Sequence, residues 1–490
     1  MVWKRHDFCY LTRKKGYTKV TVMRMETRLK LDEATSYEQW RKEAQAADNA
    51  SGAAAWKIQD KTNRYDYSII RRRRDELAAI RSDGDFDELL YYMNEGVHGN
   101  MAGMGAPSLY TRALFGTKTL ITDYVDELIL ALEKISKAPS NKLTKADKRA
   151  YFRRASMGFG RTALMLSGAG SLGAFHLGSA RAMVSEGILP RVISGASAGA
   201  FVTAFLGTRS RAERGRVLSS PDLHRYLDLN APVNGRRQVD QYDLEELLRQ
   251  TIPDLTFQEA YEESKLHINI SVAPSRVQQR SRLLNAITSP NACIREAVMA
   301  SCAIPGVLPA VTLAAKDSLG NRRDYIPSRT WVDGSIMDEL PSKRLARLYG
   351  VNYFVSSQAN PLIQGQTCTR NPLLTAASDI CQSAYKEWLK TIYPVTSGFI
   401  RNSFPLNVMA RNWFSVATQE YDADINIVTE SKNSRPGEFF ETLTPKETRE
   451  LICEGERSTW PVLERLRITT AVARCIDKIL LDMGEDTLQP

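Results

Sequence analysis

Val192-Ile193-Ser194-Gly195-Ala196-Ser197-Ala198-Gly199-Ala200-Phe201-Val202 is the stretch from which the fold follows. A short β-branched run breaks at Gly195 and an apolar helix begins after Gly199. A serine at such a sharp strand-to-helix turn is pushed out of the strand, and glycines flank it because a Cβ would strike the incoming strand or the outgoing helix. The pattern predicts a nucleophile elbow, Gly195, Ala196, Ala198 and Gly199 around Ser197. The helix start behind Ser197 aims free N–H groups and a positive dipole end at any oxyanion forming there.

An activated serine needs a base. There are five histidines, His6, His98, His176, His224 and His267, and the usual chain order Ser, acid, His leaves only His224 and His267. His224 sits in a polar loop-like stretch, and His267 opens the strand-like run His267 to Val272 as a strand-edge residue. The better base is Asp333 in Thr330-Trp331-Val332-Asp333-Gly334-Ser335, a short buried strand ending in Asp-Gly. Alone, Asp-Gly reads as a turn. Beside an elbow it reads as a base, because desolvation raises a carboxylate's pKa enough to accept a serine proton.

A third feature precedes the elbow. Arg161 to Ser167 is strand-like and runs into Gly168-Ala169-Gly170-Ser171-Leu172-Gly173, followed by a helix from about Ala174 to Ser185. Taken literally this is G-x-G-x-x-G, the dinucleotide fingerprint. That fingerprint wants an acid at the tip of the second strand, where Ser194 and Gly195 stand, and Glu186 falls at the helix end. The loop makes better sense as an oxyanion hole, its backbone N–H groups turned to the intermediate on Ser197. His176, in the first turn of the following helix, is read as structural.

Glycine-rich loop, elbow serine and late Asp-Gly, in that order, resemble the patatin-like phospholipase family. The resemblance implies Ser197 as nucleophile, Asp333 as proton acceptor of a Ser-Asp dyad, and oxyanion donors among Gly168, Ala169, Gly170, Ser171, Leu172 and Gly173, with no metal and no cofactor. Plant patatins carry an acid, three glycines and a basic residue in this loop, where Ser167, Ala169 and Leu172 stand here; losing the basic residue removes a charge that could favour anionic headgroups. Ala300 to Gly306, Ser356 to Pro361, and Trp40, Trp56-Lys57, Tyr65-Asp66 and Thr117-Lys118 are similar to the triacylglycerol lipase branch, in which a domain of unassigned function precedes the patatin domain. The implied activity is hydrolysis of acylglycerol carboxylic esters in lipid catabolism. A phospholipase A or lysophospholipase, or a lipid-surface scaffold with an idle site, stands as the alternative.

Expected strands at 162–167, 192–194, 267–272, 330–333, 351–357 and 425–428 alternate with helical segments, the mark of an α/β fold with a mostly parallel sheet. With the resemblance this becomes a patatin-like three-layer α/β/α sandwich, plus an N-terminal helical domain and a mainly helical C-terminal extension. The expected division is a basic tail at 1–35, a helical domain at 36–138 with a capping pattern at Ser36 to Gln39, a linker at 139–160, a catalytic domain at 161–365 and an extension at 366–490, helical over 373–419 and 444–483. The apolar run Ala297 to Ala315 lines an acyl cleft or forms a buried helix and its terminal turn, with equal weight.

Composition narrows the function classes. Of the net charge of +10, most is carried by residues 1 to 30, with nine basic residues against two acidic. That tail is read as an unstructured leader, or as the product of an early start with Met23 or Met25 the true beginning, ahead of a role on anionic lipid. Arg71 to Arg74 read as a solvated helix face, and no stacking aromatics accompany them, so nucleic-acid binding is excluded. Seven scattered cysteines without C-x-x-C imply reduced thiols and a cytoplasmic setting. No apolar run reaches membrane-span length, which is about 18 residues, and no signal h-region is seen. The expectation is peripheral contact with a membrane or lipid-droplet surface, with oligomeric state unread.

Overall fold

The computed structural model describes residues 29–228, 237–275, 281–336, 339–359, 423–429 and 441–485. The expected helical segment 373–419, the basic residues before 29, and Cys9, Cys368 and Cys381 lie outside them. The strands are β1 Arg161–Leu166, β2 Val192–Gly195, β3 His267–Pro274, β4 Arg282–Leu284, β5 Ala314–Lys316, β6 Arg322–Asp324, β7 Trp331–Asp333, β8 Val351–Gln358 and β9 Ile425–Val428. The main sheet runs β4-β3-β2-β1-β8-β9, with β7 also paired to β3. β1, β2, β3, β8 and β9 are parallel, and β4 and β7 run antiparallel to β3. Each expected strand is present. β4, β5 and β6 were not foreseen, since three residues apiece leave too short a period to recognise.

Alternation along β1 sends Leu164 and Leu166 to one face and Ala163 and Met165 to the other. The first face is covered by the helices Ala174–Ser185 and Ala198–Gly207, with Phe175, Phe201 and Phe205 buried against Ile193, Ile268 and Ile270. The second face is covered by the helix Ser342–Tyr349 through Leu345 and Tyr349. These layers make the α/β/α sandwich. Strand order reverses beside β1, and in parallel sheets the crevice at the carboxyl ends of such strands is where ligands sit.

The long helix Pro445–Asp482 crosses Ala174–Ser185 at backbone contact. A Cβ on Gly178 would stand 1.9 Å from Ile452 O, and one on Gly455 would stand 2.0 Å from Phe175 O. Because those neighbours are backbone, the helices must separate to admit a methyl group. Gly455→Ala is therefore expected to lower unfolding free energy by about 2 kcal/mol or more, despite the roughly 1 kcal/mol that Ala gains over Gly in helix propensity. A denaturant midpoint equal to or above wild type would refute this account of the crossing.

The same helix joins two cores. Its first half, with Ile452, Trp460 and Leu463, is buried in the sheet's core, and its second half, with Ile468, Val472, Ile476 and Leu480, is buried among the N-terminal helices. Those helices are Tyr37–Ser51, Ala53–Ile58, Tyr67–Asp83, Phe86–Gly96, Thr119–Ser136 and Lys145–Phe159. Ser36 caps the first by accepting from Gln39 N–H, while the Gln39 side chain reaches back to Thr35 and not to Ser36. Within 139–160, expected as a linker, Thr144 caps the Lys145–Phe159 helix, whose Tyr151 and Phe152 are buried among its neighbours. The run read as polar because lysines and arginines outnumber its buried face. Asp48 accepts from Leu114 N–H, Phe115 N–H and Lys57 Nζ, so the Trp56-Lys57 motif pins the loop before Thr117-Lys118. Arg71, Arg72 and Arg74 meet Asp60, Glu76 and Asp75 as ion pairs at the surface, worth little each. These three fit the solvated face expected, whereas Arg73 is half-buried, its guanidinium over the Tyr92 ring at 4.8 Å.

Candidate active site

Ser197 stands between β2 and the helix Ala198–Gly207 with φ 53° and ψ −125°. A non-glycine residue held there stores about 1–3 kcal/mol of strain. The turn is closed by contacts that only glycine admits: a Cβ on Gly195 would lie 2.1 Å from Gly199 O, and one on Gly199 would lie 2.3 Å from Leu166 O. Ser301 fixes the strained residue from behind. Its Oγ accepts from Ser197 N–H at 2.9 Å and donates to Ser271 O at 2.7 Å. A small hydroxyl inside the apolar helix Ile294–Cys302 was the available signal for this support, and sequence reading passed over it.

Asp333 ends β7 and is completely buried, beside Val272 of β3 in the ladder. Gly334 is required next to it, since a Cβ there would lie 2.2 Å from Ser271 O. Asp333 Oδ1 accepts from Ser335 N–H at 2.7 Å. Burial pushes the Asp333 pKa up to about 6, against the partial opposition of hydrogen bonds from Ser335 and of the Ser197 hydroxyl. Oδ2 has no hydrogen bond of ordinary geometry. The Ser197 hydroxyl is thus close enough to bear on the carboxylate's acidity without closing an ideal bond. Cys302 adjoins both groups, and burial with the Asp333 charge holds its thiol well above the usual range.

In the glycine-rich loop, Gly170 to Gly173 form a 3-10 turn, and Gly170, Ser171 and Gly173 line a cavity with Ser197. Gly168 N–H donates to Glu339 Oε1 at 2.7 Å and Leu172 N–H to Ala169 O at 3.0 Å, so those two of the six expected oxyanion donors are already engaged. Leu172 is packed in the core, which is why an apolar residue stands where plant patatins have a basic one. Ser167, at the acid's position, ties the loop to β8: its N–H donates to Ser357 O and its Oγ accepts from Ala359 N–H. His176 bridges Ser357 Oγ at 2.8 Å and Ser167 O at 3.0 Å, and burial holds its pKa down to about 4, so the ring is neutral and structural. Sequence reading missed Glu339, a buried acid in an Asp-Glu-Leu-Pro run that carries no distinguishing pattern.

The two candidate triad histidines are elsewhere. His267 is level with Val192 at the opposite end of β2 from Ser197, and five residues of extended chain span roughly 16 Å. It opens β3, as expected, and is buried there between the rings of Tyr261 and Tyr349 at 4.6 and 5.2 Å. His224, in the Leu223–Leu227 turn, is buried and does not line the cavity.

The cavity holds about 960 Å³ including its open mouth and is walled mainly by apolar side chains, among them Phe201, Val202, Leu244, Leu247, Ile304 and Leu308. Among the described residues no group of three or more His, Cys, Asp or Glu could hold a metal ion. Ser197 at the elbow is buried at the floor of an apolar cavity with the buried Asp333 beside it, an arrangement of the serine hydrolase type. The chain belongs to the patatin-like phospholipase family, a family of carboxylic ester hydrolases, which it matches over residues 164–345; residues 17–157 match a domain of unknown function, DUF3336. The triacylglycerol lipase ptl3 of Schizosaccharomyces pombe is 29% identical, over 89% of this chain and 93% of its own. A patatin-like phospholipase domain-containing protein of Aspergillus terreus is 30% identical, over 92% of this chain and 68% of its own. The crystal structure of VipD from Legionella pneumophila aligns over 63% of this chain and 67% of that one at 15% identity and a TM-score of 0.32, a loose likeness that leaves the fold to be read from its own strands.

Proposed function

We propose that the chain hydrolyses acylglycerol esters in lipid degradation through a Ser197-Asp333 dyad. The observation that carries this reading is the strained Ser197 at the floor of an apolar cavity with the buried Asp333 carboxylate adjoining it. With a pKa of about 6, Asp333 is about as basic as an ordinary histidine, whose pKa is about 6.5, and needs no third residue to act at neutral pH. Ser197 Oγ attacks the acyl carbonyl as its proton passes to Asp333. The tetrahedral oxyanion is met by loop N–H groups and the dipole of the Ala198–Gly207 helix. The alcohol leaves with that proton, and Asp333 then takes a proton from water attacking the acyl-enzyme, returning it to Ser197 as the fatty acid departs.

The neutral substrate is favoured by the loop, where Leu172 supplies no positive charge for a phosphate, and by the similarity to a triacylglycerol lipase of S. pombe. A fluorophosphonate probe is expected to label wild type and to leave Ser197→Ala unlabelled. An unlabelled wild type would favour the idle-site scaffold, and turnover of phosphatidylcholine above triolein would favour the phospholipase.

A further inference from the structure

We infer that the loop from Ile304 to Ala310 is the surface on which the protein seats against an uncharged lipid surface, with the cavity mouth facing the lipid. This rests on the hydrolase reading above. Ile304, Val307 and Leu308 line the cavity, while Gly306, Val307, Pro309 and Ala310 are exposed. Val307 does both: it is 45% exposed, and of the large exposed apolar side chains among the described residues it alone also lines the cavity. Ile58, Tyr91, Met157, Tyr242 and Leu319 are more exposed still, but none of them lines this cavity.

The loop is built to hold its apolar groups outward. Val307 N–H and Leu308 N–H both donate to Ile304 O, Asp333 N–H donates to Ala303 O, and Val311 exchanges two backbone hydrogen bonds with Trp331. It is therefore pinned at both ends to the strand carrying Asp333, through Ala303 at one end and Val311 at the other. An acyl chain drawn from lipid along Val307 would reach Ser197 without crossing water. From Ala303 to Ala315 there is no charged residue, so the loop offers nothing to anionic headgroups and its hold on lipid comes from apolar burial, which salt does not screen.

The test is flotation of the full-length protein with vesicles of dioleoylphosphatidylcholine, together with sedimentation and hydrolysis of a soluble short-chain ester. Wild type is expected to float equally at low salt and at about 1 M, where the screening length is about 3 Å. Pro309→Asp with Ala310→Asp, exposed positions outside the cavity wall, should cut flotation about tenfold or more and leave soluble-ester turnover unchanged. Leu319→Asp, on the exposed β5–β6 turn, places charge elsewhere and should float like wild type. Retained flotation of the double variant, or flotation of wild type that vanishes in salt, would overturn the proposal, the second in favour of the basic tail. So would a wild-type dimer that the double variant converts to monomer, which would assign the loop to a second copy. Failure of wild type to hydrolyse the soluble ester would instead count against the hydrolase reading, independently of flotation.

Discussion

Ser197→Ala is expected to lower ester turnover on the order of 10⁶-fold, the size of loss met when a serine nucleophile is removed, with no change in melting temperature. The two halves of that expectation come from different atoms. The hydroxyl faces the cavity and Asp333, so the chemistry goes with it. The backbone N–H, which anchors the strained turn through Ser301 Oγ at 2.9 Å, is untouched. Alanine tolerates φ 53° no better than serine does, so the strain is kept. Ser197→Gly separates the two further: it should be equally inactive yet about 1 kcal/mol more stable, because glycine adopts positive φ without penalty. Kinetics on a soluble ester with thermal melts of both variants would check this. A folded alanine variant with most of its activity would end the nucleophile assignment.

Strand-to-helix punctuation made most of the candidate site legible. Gly195, Ser197 and Gly199 were readable because sharp turns force glycine at fixed offsets, and backbone oxygens now stand where a Cβ would go. Asp333 was readable only in company, since Asp-Gly alone is a turn and its burial depends on β3 lying alongside. Glu339 and Ser301 were not readable. Each acts through one hydrogen bond to a backbone N–H from a distant segment, Gly168 and Ser197, and such a bond leaves no local pattern. The place of His267 at the start of β3 was readable but its burial was not, because the aromatic rings that cover it belong to Tyr261 and Tyr349, one just before it and one far along the chain. The fold followed similar lines. Long parallel strands showed themselves by apolar runs, whereas the helix-helix contact at Gly178 and Gly455 joins residues nearly three hundred positions apart.

Asp333→Asn should cost about 10³- to 10⁴-fold in turnover, by analogy with triads whose acid is amidated, and should make the protein more stable at neutral pH. The second effect tells a base from a merely structural acid. Burial raises the Asp333 pKa from 3.8 to about 6, so the folded state holds its proton where the unfolded chain has released it. For a group raised in this way, the stabilisation is complete below pH 3.8 and is lost as pH climbs towards 6. Above that the ionised carboxylate costs the fold about 3 kcal/mol, the free energy of a shift of that size. Asparagine can still accept from Ser335 N–H through its amide oxygen and carries no charge. The variant is therefore expected to match wild type near pH 4 and to melt higher at pH 7 to 8. In wild type, kcat/KM should rise with pH through about 6, because only the ionised carboxylate can take the Ser197 proton. The residual rate of Asp333→Asn should lack that limb. If the limb persists in the variant, another group titrates it. If turnover survives as well, the dyad is wrong.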